Sequence, residues 1–210
     1  RHAGDEIGEG NELNGLTLGG VGAGTTVEFI DVYANFDDGV EWFGGTVNGR
    51  YMSVAFIGDD MYDLDEGYTG VNQFLFGIAP YFQAGPGLAY GSVSGGKAGE
   101  FDGDNYRPDA VQLRDNVNIR LKVVDETPWP LSYPAMYNMT LIGSTLDAGN
   151  PTPPGVMPAG TKRGIQFRNG FAGEVHNTIV VNTGAETGVE VDTSLNGAPA
   201  STRSTTRTTA

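Results

Sequence analysis

"NFDDGVEWFGG" (residues 35–45) is followed 22 residues on by "IGDDMYDLDEG" (57–67). Each carries a paired aspartate, one intervening residue, and then an apolar–acidic–apolar triplet. Laying "VEFIDVYANFDDGVEWFGGTVN" (27–48) over "GRYMSVAFIGDDMYDLDEGYTG" (49–70) sets Phe29 on Tyr51 and Val32 on Val54. Asp37 and Asp38 then fall on Asp59 and Asp60, Val40 on Tyr62, Glu41 on Asp63 and Trp42 on Leu64. A second echo links "GIQFR" (164–168) to "GVEVD" (188–192), 24 residues apart.

Periods in the low twenties, built from short runs rich in Val, Ile, Phe and Tyr at alternating positions, indicate a β-solenoid whose coils stack. In such a coil every second strand residue points inward, onto its counterpart one rung away. Val40 and Trp42 are expected inside, over Tyr62 and Leu64, and Ile165 and Phe167 under Val189 and Val191. Glu41 and Asp63 then point outward, one above the other, with rungs ~4.8 Å apart. The expected rungs lie at 15–24, 27–48, 49–70, 71–79, 116–142 and 164–192.

Two stretches break the pattern. Residues 80–110 and 143–163 are rich in Gly and Pro without sustained periodicity, and are read as long surface loops, where solenoids place binding functions. The Ser/Thr/Arg-rich end, 199–210, cannot bury a core and reads as a disordered tail or linker after a domain spanning 1–198. The 210 residues suit one domain. Thirty-three glycines favour an all-β, turn-rich architecture, and there is no cysteine, which excludes disulfides and thiol chemistry. With 26 Asp plus Glu against 12 Lys plus Arg, the net charge of −14 repels phosphate backbones and argues against a nucleic-acid partner. No apolar run approaches the ~20 residues of a membrane span.

The stretch from "NELNGLTLGG" (11–20) through "DEGY" (65–68), with "EFDGDN" (100–105), "PAMYNMTLIG" (134–143) and "GFAGEVHNTIVVNTG" (170–184), resembles a family of uncharacterised secreted or lipid-anchored bacterial proteins. The resemblance implies an all-β fold, a right-handed parallel β-helix. It implies an extracellular or outer-surface setting in a Gram-negative bacterium, and it makes Arg1 an interior point of a longer solenoid or a processed end. It carries no activity over.

Stacking makes the recurring aspartates costly. Like charges ~5 Å apart repel by about 3 kcal/mol at an effective dielectric of ~20. One remedy is a bound cation, with calcium the ion best suited to hard oxygen ligands of flexible geometry. Its candidate ligands are Asp37, Asp38, Asp59, Asp60, Asp102 and Asp104, the last two in "DGDN" (102–105). Glu41, Asp63, Asp65 and Glu66 lie on the neighbouring face. The other remedy is a carboxylate that accepts backbone amides two residues on, as in an Asx turn.

Parallel β-helices also carry polysaccharide lyases and glycoside hydrolases. For such chemistry Glu41, Asp63 and Asp65 are the candidate catalytic carboxylates, with Arg50, Lys97, Arg107 and Arg114 available as cations. His176 reads as a packed or capped histidine, and Asn177 and Asn182 suit turns and asparagine ladders. Tyr81, Phe82, Tyr90, Phe101 and Tyr106 form either a sugar-stacking platform or a satellite core. The expected function is an extracellular structural or binding module, with a polysaccharide lyase or hydrolase as the alternative. Its expected partners are a polysaccharide, or further copies joined through unpaired strand edges at the solenoid ends.

Overall fold

The computed structural model describes residues 13–79, 96–103, 132–143, 163–168, 171–183 and 187–191. Short and long strands alternate along them. The short ones are β1 (Leu16–Gly19), β3 (Val40–Phe43), β5 (Tyr62–Asp65), β7 (Lys97–Asp102), β9 (Arg163–Arg168) and β12 (Thr187–Val191). The long ones are β2 (Thr26–Tyr33), β4 (Asn48–Ala55), β6 (Val71–Ile78) and β8 (Ala135–Ile142), and the pair β10 (Glu174–His176) and β11 (Ile179–Val181) lies against β8. The short strands form one parallel sheet in the order β1-β3-β5-β7-β9-β12, and the long ones form another in the order β2-β4-β6-β8-β10. The result is a right-handed parallel β-helix in which one short and one long strand make a rung. No helix among the described residues is long and apolar enough to cross a membrane.

Rung boundaries differ from those expected. Residues 27–48 are the end of one rung and the start of the next, and 71–79 is the second half of a rung that opens with β5. Strand β7 lies inside the 80–110 segment read as a loop. Its Glu100 and Phe101 pair with Asp63 and Leu64 on one side and with Gln166 and Phe167 on the other. Parallel pairing fixes register within a sheet and leaves the length of the connection free, so an insertion hides a rung without displacing it. Residues 80–95, 104–131, 144–162 and the 199–210 tail lie outside the described residues.

Each rung turns on left-handed residues in matching columns. The first sheet ends at Gly20, Gly44 and Glu66, with φ of 61°, 65° and 56°. The long strands bend midway at Phe29, Tyr51, Phe74, Asn138 and Asn177, with φ between 48° and 61°. A third column holds Ala34, Phe56 and Asn182. The bend divides the long-strand sheet into a second face (26–28 and its counterparts) and a third face (30–33 and its counterparts).

For residues other than Gly and Asn the left-handed region costs roughly 1–2 kcal/mol. Asn138 and Asn177 are among the cheapest solutions and are linked side chain to side chain. Phe29, Tyr51 and Phe74 offset the cost by stacking, with centroids 5.0 and 5.1 Å apart and planes 14° and 2° from parallel. Such pairs contribute about 0.5–1.5 kcal/mol beyond buried area.

Inside, register makes like meet like. Leu18, Trp42, Leu64, Phe101 and Phe167 form one column, and Leu16, Val40, Tyr62 and Ile165 lie on another. Ile165 and Phe167 lie beside Val189 and Val191, as expected, but at this last described rung the two valines are exposed rather than inside. Phe101 is fully buried in this core. Trp42 stacks on Tyr62 at 6.3 Å and on Tyr68 at 5.5 Å. Both phenols find carbonyls, Tyr62 at Phe76 O (2.8 Å) and Tyr68 at Val47 O (2.6 Å), and burial pushes both well above the usual tyrosine range.

Replacing Trp42 with Ala removes the centre of this column. It should cost about 3–5 kcal/mol in chemical denaturation, with loss of near-ultraviolet tyrosine signal from Tyr62 and Tyr68.

Candidate functional site

Four hexapeptides line the first face: Asp38-Gly-Val-Glu-Trp-Phe, Asp60-Met-Tyr-Asp-Leu-Asp, Lys97-Ala-Gly-Glu-Phe-Asp and Arg163-Gly-Ile-Gln-Phe-Arg. In each, the third and fifth residues turn inward and the fourth and sixth outward, because successive strand side chains alternate. The outward columns therefore read Glu41, Asp63, Glu100, Gln166, Glu190 and Phe43, Asp65, then Asp102 beside Arg168. Glu41 lies beside Asp63 as expected. Glu100 and Arg168 escaped the sequence reading, although the repeated hexapeptide carries the signal for both.

The leading residue of each hexapeptide ties one rung to the next. Asp38 Oδ1 accepts the amide of Asp60 at 2.9 Å, and Asp60 Oδ1 accepts the amide of Lys97. Asp38 and Asp60, the second of each aspartate pair, thus meet backbone amides of the following rung rather than amides two residues along the chain. Asp38 and Asp60 are buried, at 7% and 2% exposure.

Two cations enter from the fourth and fifth rungs. Lys97 Nζ contacts Glu100 and lies 3.5 Å from Asp60 Oδ2. Arg168 reaches Glu100 Oε1 and Asp102 Oδ1, each at 2.5 Å. Asp102 is therefore the end of a strand held in an ion pair, and not part of an open loop. Asp104 lies outside the described residues.

Burial drives Asp60 well above the usual carboxylate range, its hydrogen bond with Glu100 adds to the rise, and Lys97 opposes it. Burial opposes ionisation of Glu100 as well. The hydrogen bond from Asp60 and the charges of Lys97 and Arg168 outweigh it and hold Glu100 below its ordinary value. Lys97 is raised in turn, since Asp60 and Glu100 more than offset its desolvation.

Among the described residues no cation pairs with Asp38 or Glu41 in the second rung, whereas in the third Lys97 acts on Asp60 and Arg168 on Asp63. Desolvation pushes Asp38 up to about 8 and Glu41 to about 7, with the neighbouring carboxylates adding to both. Asp63 is driven well above its ordinary value by burial and then by Asp38 and Asp60. Three carboxylate groups converge, with one oxygen of each member within 4.8 Å of the others: Asp37–Asp38–Asp59, Asp38–Glu41–Asp63 and Asp60–Asp63–Glu100. Lys97 already neutralises the last of these.

At the middle group, Asp63 Oδ1 is buried without a hydrogen-bond partner, and so is Asn14 Oδ1, whose amide nitrogen donates to Glu41. Both orphaned atoms are acceptors. All-oxygen acceptors around a buried carboxylate fit a hard cation such as calcium.

The family model described as a pectate-lyase-like β-helix domain matches residues 1–209. The chain belongs to this family. No curated protein matches the chain, and no solved structure does. Within this pectate-lyase-like β-helix the acidic row occupies the outer side of the first face, and the other sequence candidates disperse. Asp65 is buried one column over, near Asp102, and Arg50 is on the second face, paired with Glu28 at 2.8 Å. His176 is exposed there rather than packed, stacked on Tyr137 at 4.9 Å and bonded to Glu174 at 3.0 Å. Arg107, Arg114, Tyr81, Phe82, Tyr90 and Tyr106 lie outside the described residues.

Lys97→Met leaves Glu100 with a buried charge short of one partner. It should destabilise the chain by about 3–5 kcal/mol in denaturant titration. The double variant Lys97→Met/Glu100→Gln should recover most of that loss.

Proposed function

We propose that this chain is an extracellular binding module of the bacterial surface that takes up calcium at Asp38, Glu41 and Asp63 and engages polysaccharide across its first face. The observation that carries the reading is Asp63 Oδ1, a buried acceptor without a donor between two carboxyls whose proton affinity burial has raised. A cation would replace protons there and relieve a repulsion of about 3 kcal/mol per carboxylate pair. Glu41 and Asp63 are only half-buried, so an ion they hold remains within reach of a ligand's oxygens. The expected setting is extracellular, as the family resemblance of the sequence implies.

A second reading, cleavage of the bound glycan by a lyase or hydrolase, rests on one further observation. Glu41 is pushed up to about 7 beside a second carboxyl, Asp63, and Lys97 and Arg168 serve the same face. An acid with raised affinity beside a second carboxyl is the equipment of glycoside hydrolysis.

The pH dependence separates the metal-bound form from the metal-free one. In the folded chain Asp38 and Glu41 keep protons up to about 8 and about 7, whereas the unfolded chain releases them near the ordinary values of roughly 4. The folded state binds more protons in that window, so stability without metal falls as pH rises from about 4 to about 8. In chelator the Tm should therefore decline from pH 5 to pH 8. Calcium at a hundredfold excess over its Kd should add about 2.7 kcal/mol, most visibly at pH 8, with proton release on binding. Asp63→Asn should abolish the calcium-dependent rise. An unchanged Tm in calcium at pH 8 would sink the cation site.

Retention on acidic and neutral polysaccharides, lost in chelator, would support the binding reading. New reducing ends or unsaturated uronate absorbance would establish cleavage instead.

A further inference from the structure

The third face differs in chemistry from the other two. Its outward columns are Asp31, Ser53, Phe76, Thr140, Ile179 and Tyr33, Ala55, Ile78, Ile142, Val181. Asp31 is the one charge in these columns, and Ser53 Oγ donates to it at 2.5 Å. The rest is apolar or hydroxyl-bearing. Tyr33 and Ile179 are each 57% exposed, Val181 44% and Phe76 38%, while Ser53, Ala55, Ile78, Thr140 and Ile142 are half-buried between them. The first face, by contrast, carries the carboxylate row, and the second carries Glu28, Arg50, Glu174 and His176.

We propose that the third face is a self-association surface, on which a second copy of the chain packs sheet against sheet about a two-fold axis. The first argument is charge. Copies that each carry −14 repel, and they approach at least cost where the surface between them carries fewest charges, here the single Asp31 of each copy. The third face is that surface among the described residues. A polycationic partner would seek the carboxylates of the first face and finds no row of charge here.

The second argument is shape. Two straight columns of a parallel sheet offer a flat area that is its own complement, and opposed sheets settle about 10 Å apart with side chains interdigitating. Large and small alternate where this is needed, with Ala55 between Tyr33 and Ile78.

The third argument weighs against a sugar as the main occupant. Along one edge runs the ridge of Phe29, Tyr51 and Phe74. These rings stack on one another within 14° of parallel, so the faces between them are spent and the outer face of Phe29, 76% exposed, is the one left at that end of the ridge. A pyranose needs the face of a ring, whereas an apolar sheet is content with edges. Size sets the strength. Five rungs at ~4.8 Å, two columns ~7 Å apart, give a strip about 24 Å long and a few hundred Å² in area. That is well below the roughly 800 Å² per partner of a standard specific interface, so the contact is a weak one. The dimer is therefore reversible.

The test is sedimentation of the intact chain over a wide concentration range at low and physiological salt. The expected result is a closed monomer–dimer isotherm that tightens as salt rises, because screening weakens the repulsion. Phe76→Lys and Ala55→Glu should each weaken association by at least about tenfold, the effect of some 1.4 kcal/mol. Phe43→Lys, an exposed aromatic on the first face, should leave it unchanged. Ala55 is small and points outward, so Ala55→Glu keeps the test sound should Phe76→Lys unfold. A chain that stays monomeric at every concentration overturns the proposal. So does open-ended growth indifferent to both substitutions, which assigns association to the strand edges of the terminal rungs. A monomer whose polysaccharide retention is lost in Ala55→Glu also overturns it, by giving the face to a glycan.

Discussion

In a parallel β-helix each side chain meets, about one strand spacing away, the side chain that holds the same position in the next rung. Inside the coil this rewards repetition, since Trp42 over Leu64 and Val40 over Tyr62 bury apolar area on apolar area. Outside it penalises repetition of charge. The chain answers this in two ways. The column that begins Asp38, Asp60 changes sign at Lys97 and Arg163. The column that begins Glu41, Asp63, Glu100 never acquires a cation of its own and borrows Lys97 and Arg168 from its flanks. That loan holds Glu100, reaches Asp60 through Lys97 and Asp63 through Arg168, and stops short of Asp38 and Glu41. Burial raises the proton affinity of Asp38, Glu41 and Asp63 all the same.

The corners follow from the same constraint. A rung must turn at the same place as its neighbours, so the left-handed conformation recurs in columns whatever residue falls there. Glycine or asparagine would be the inexpensive choice, and Asn138 and Asn177 show it. Phe29, Tyr51 and Phe74 are tolerated because residues at a shared corner are already stacked at ring-contact distance. The strain of each is thus offset by its neighbours, and the ridge they form is rigid. It also puts large apolar side chains at the border of a sheet whose outward columns carry one charge, Asp31.

The sequence was legible where one rung follows the next without insertion. Two aligned repeats were enough to set Val40 and Trp42 inward, Glu41 beside Asp63, and Ile165 and Phe167 beside Val189 and Val191. It was less legible where a connection lengthens. A fixed period cannot find Lys97–Asp102, because backbone pairing constrains the register of the strand and not the chain length that precedes it. The hexapeptide pattern survives the insertion and identifies Glu100 and Arg168, since side-chain alternation is local. "DGDN" suggested a loop ligand at Asp102 because Asp and Gly are also turn formers, and its partner Arg168 lies beyond a second insertion. The paired aspartates were read through local turn chemistry, which looks two residues ahead. In a solenoid the nearest amide in need of an acceptor belongs to the next rung.

Burial also limits what the acidic row can do. Asp38, Asp60 and Glu100 are each at most 7% exposed, too deep for a polymer to touch directly. Among the carboxylates of the described row, Glu41 and Asp63 are half-buried and join the buried groups to the surface, beside Lys97 and Arg168. In the proposed reading, a proton or an ion held between them carries the interior charge balance outward. If a cation sits there, any anionic ligand is met by the ion and by the exposed third of Arg168, and the buried carboxylates act by fixing the ion's position. If a proton sits there, Glu41 or Asp63, both half-buried and both raised in proton affinity, can deliver it. The proposed binding and its alternative, cleavage, thus differ in which of the two, ion or proton, Glu41 and Asp63 hold.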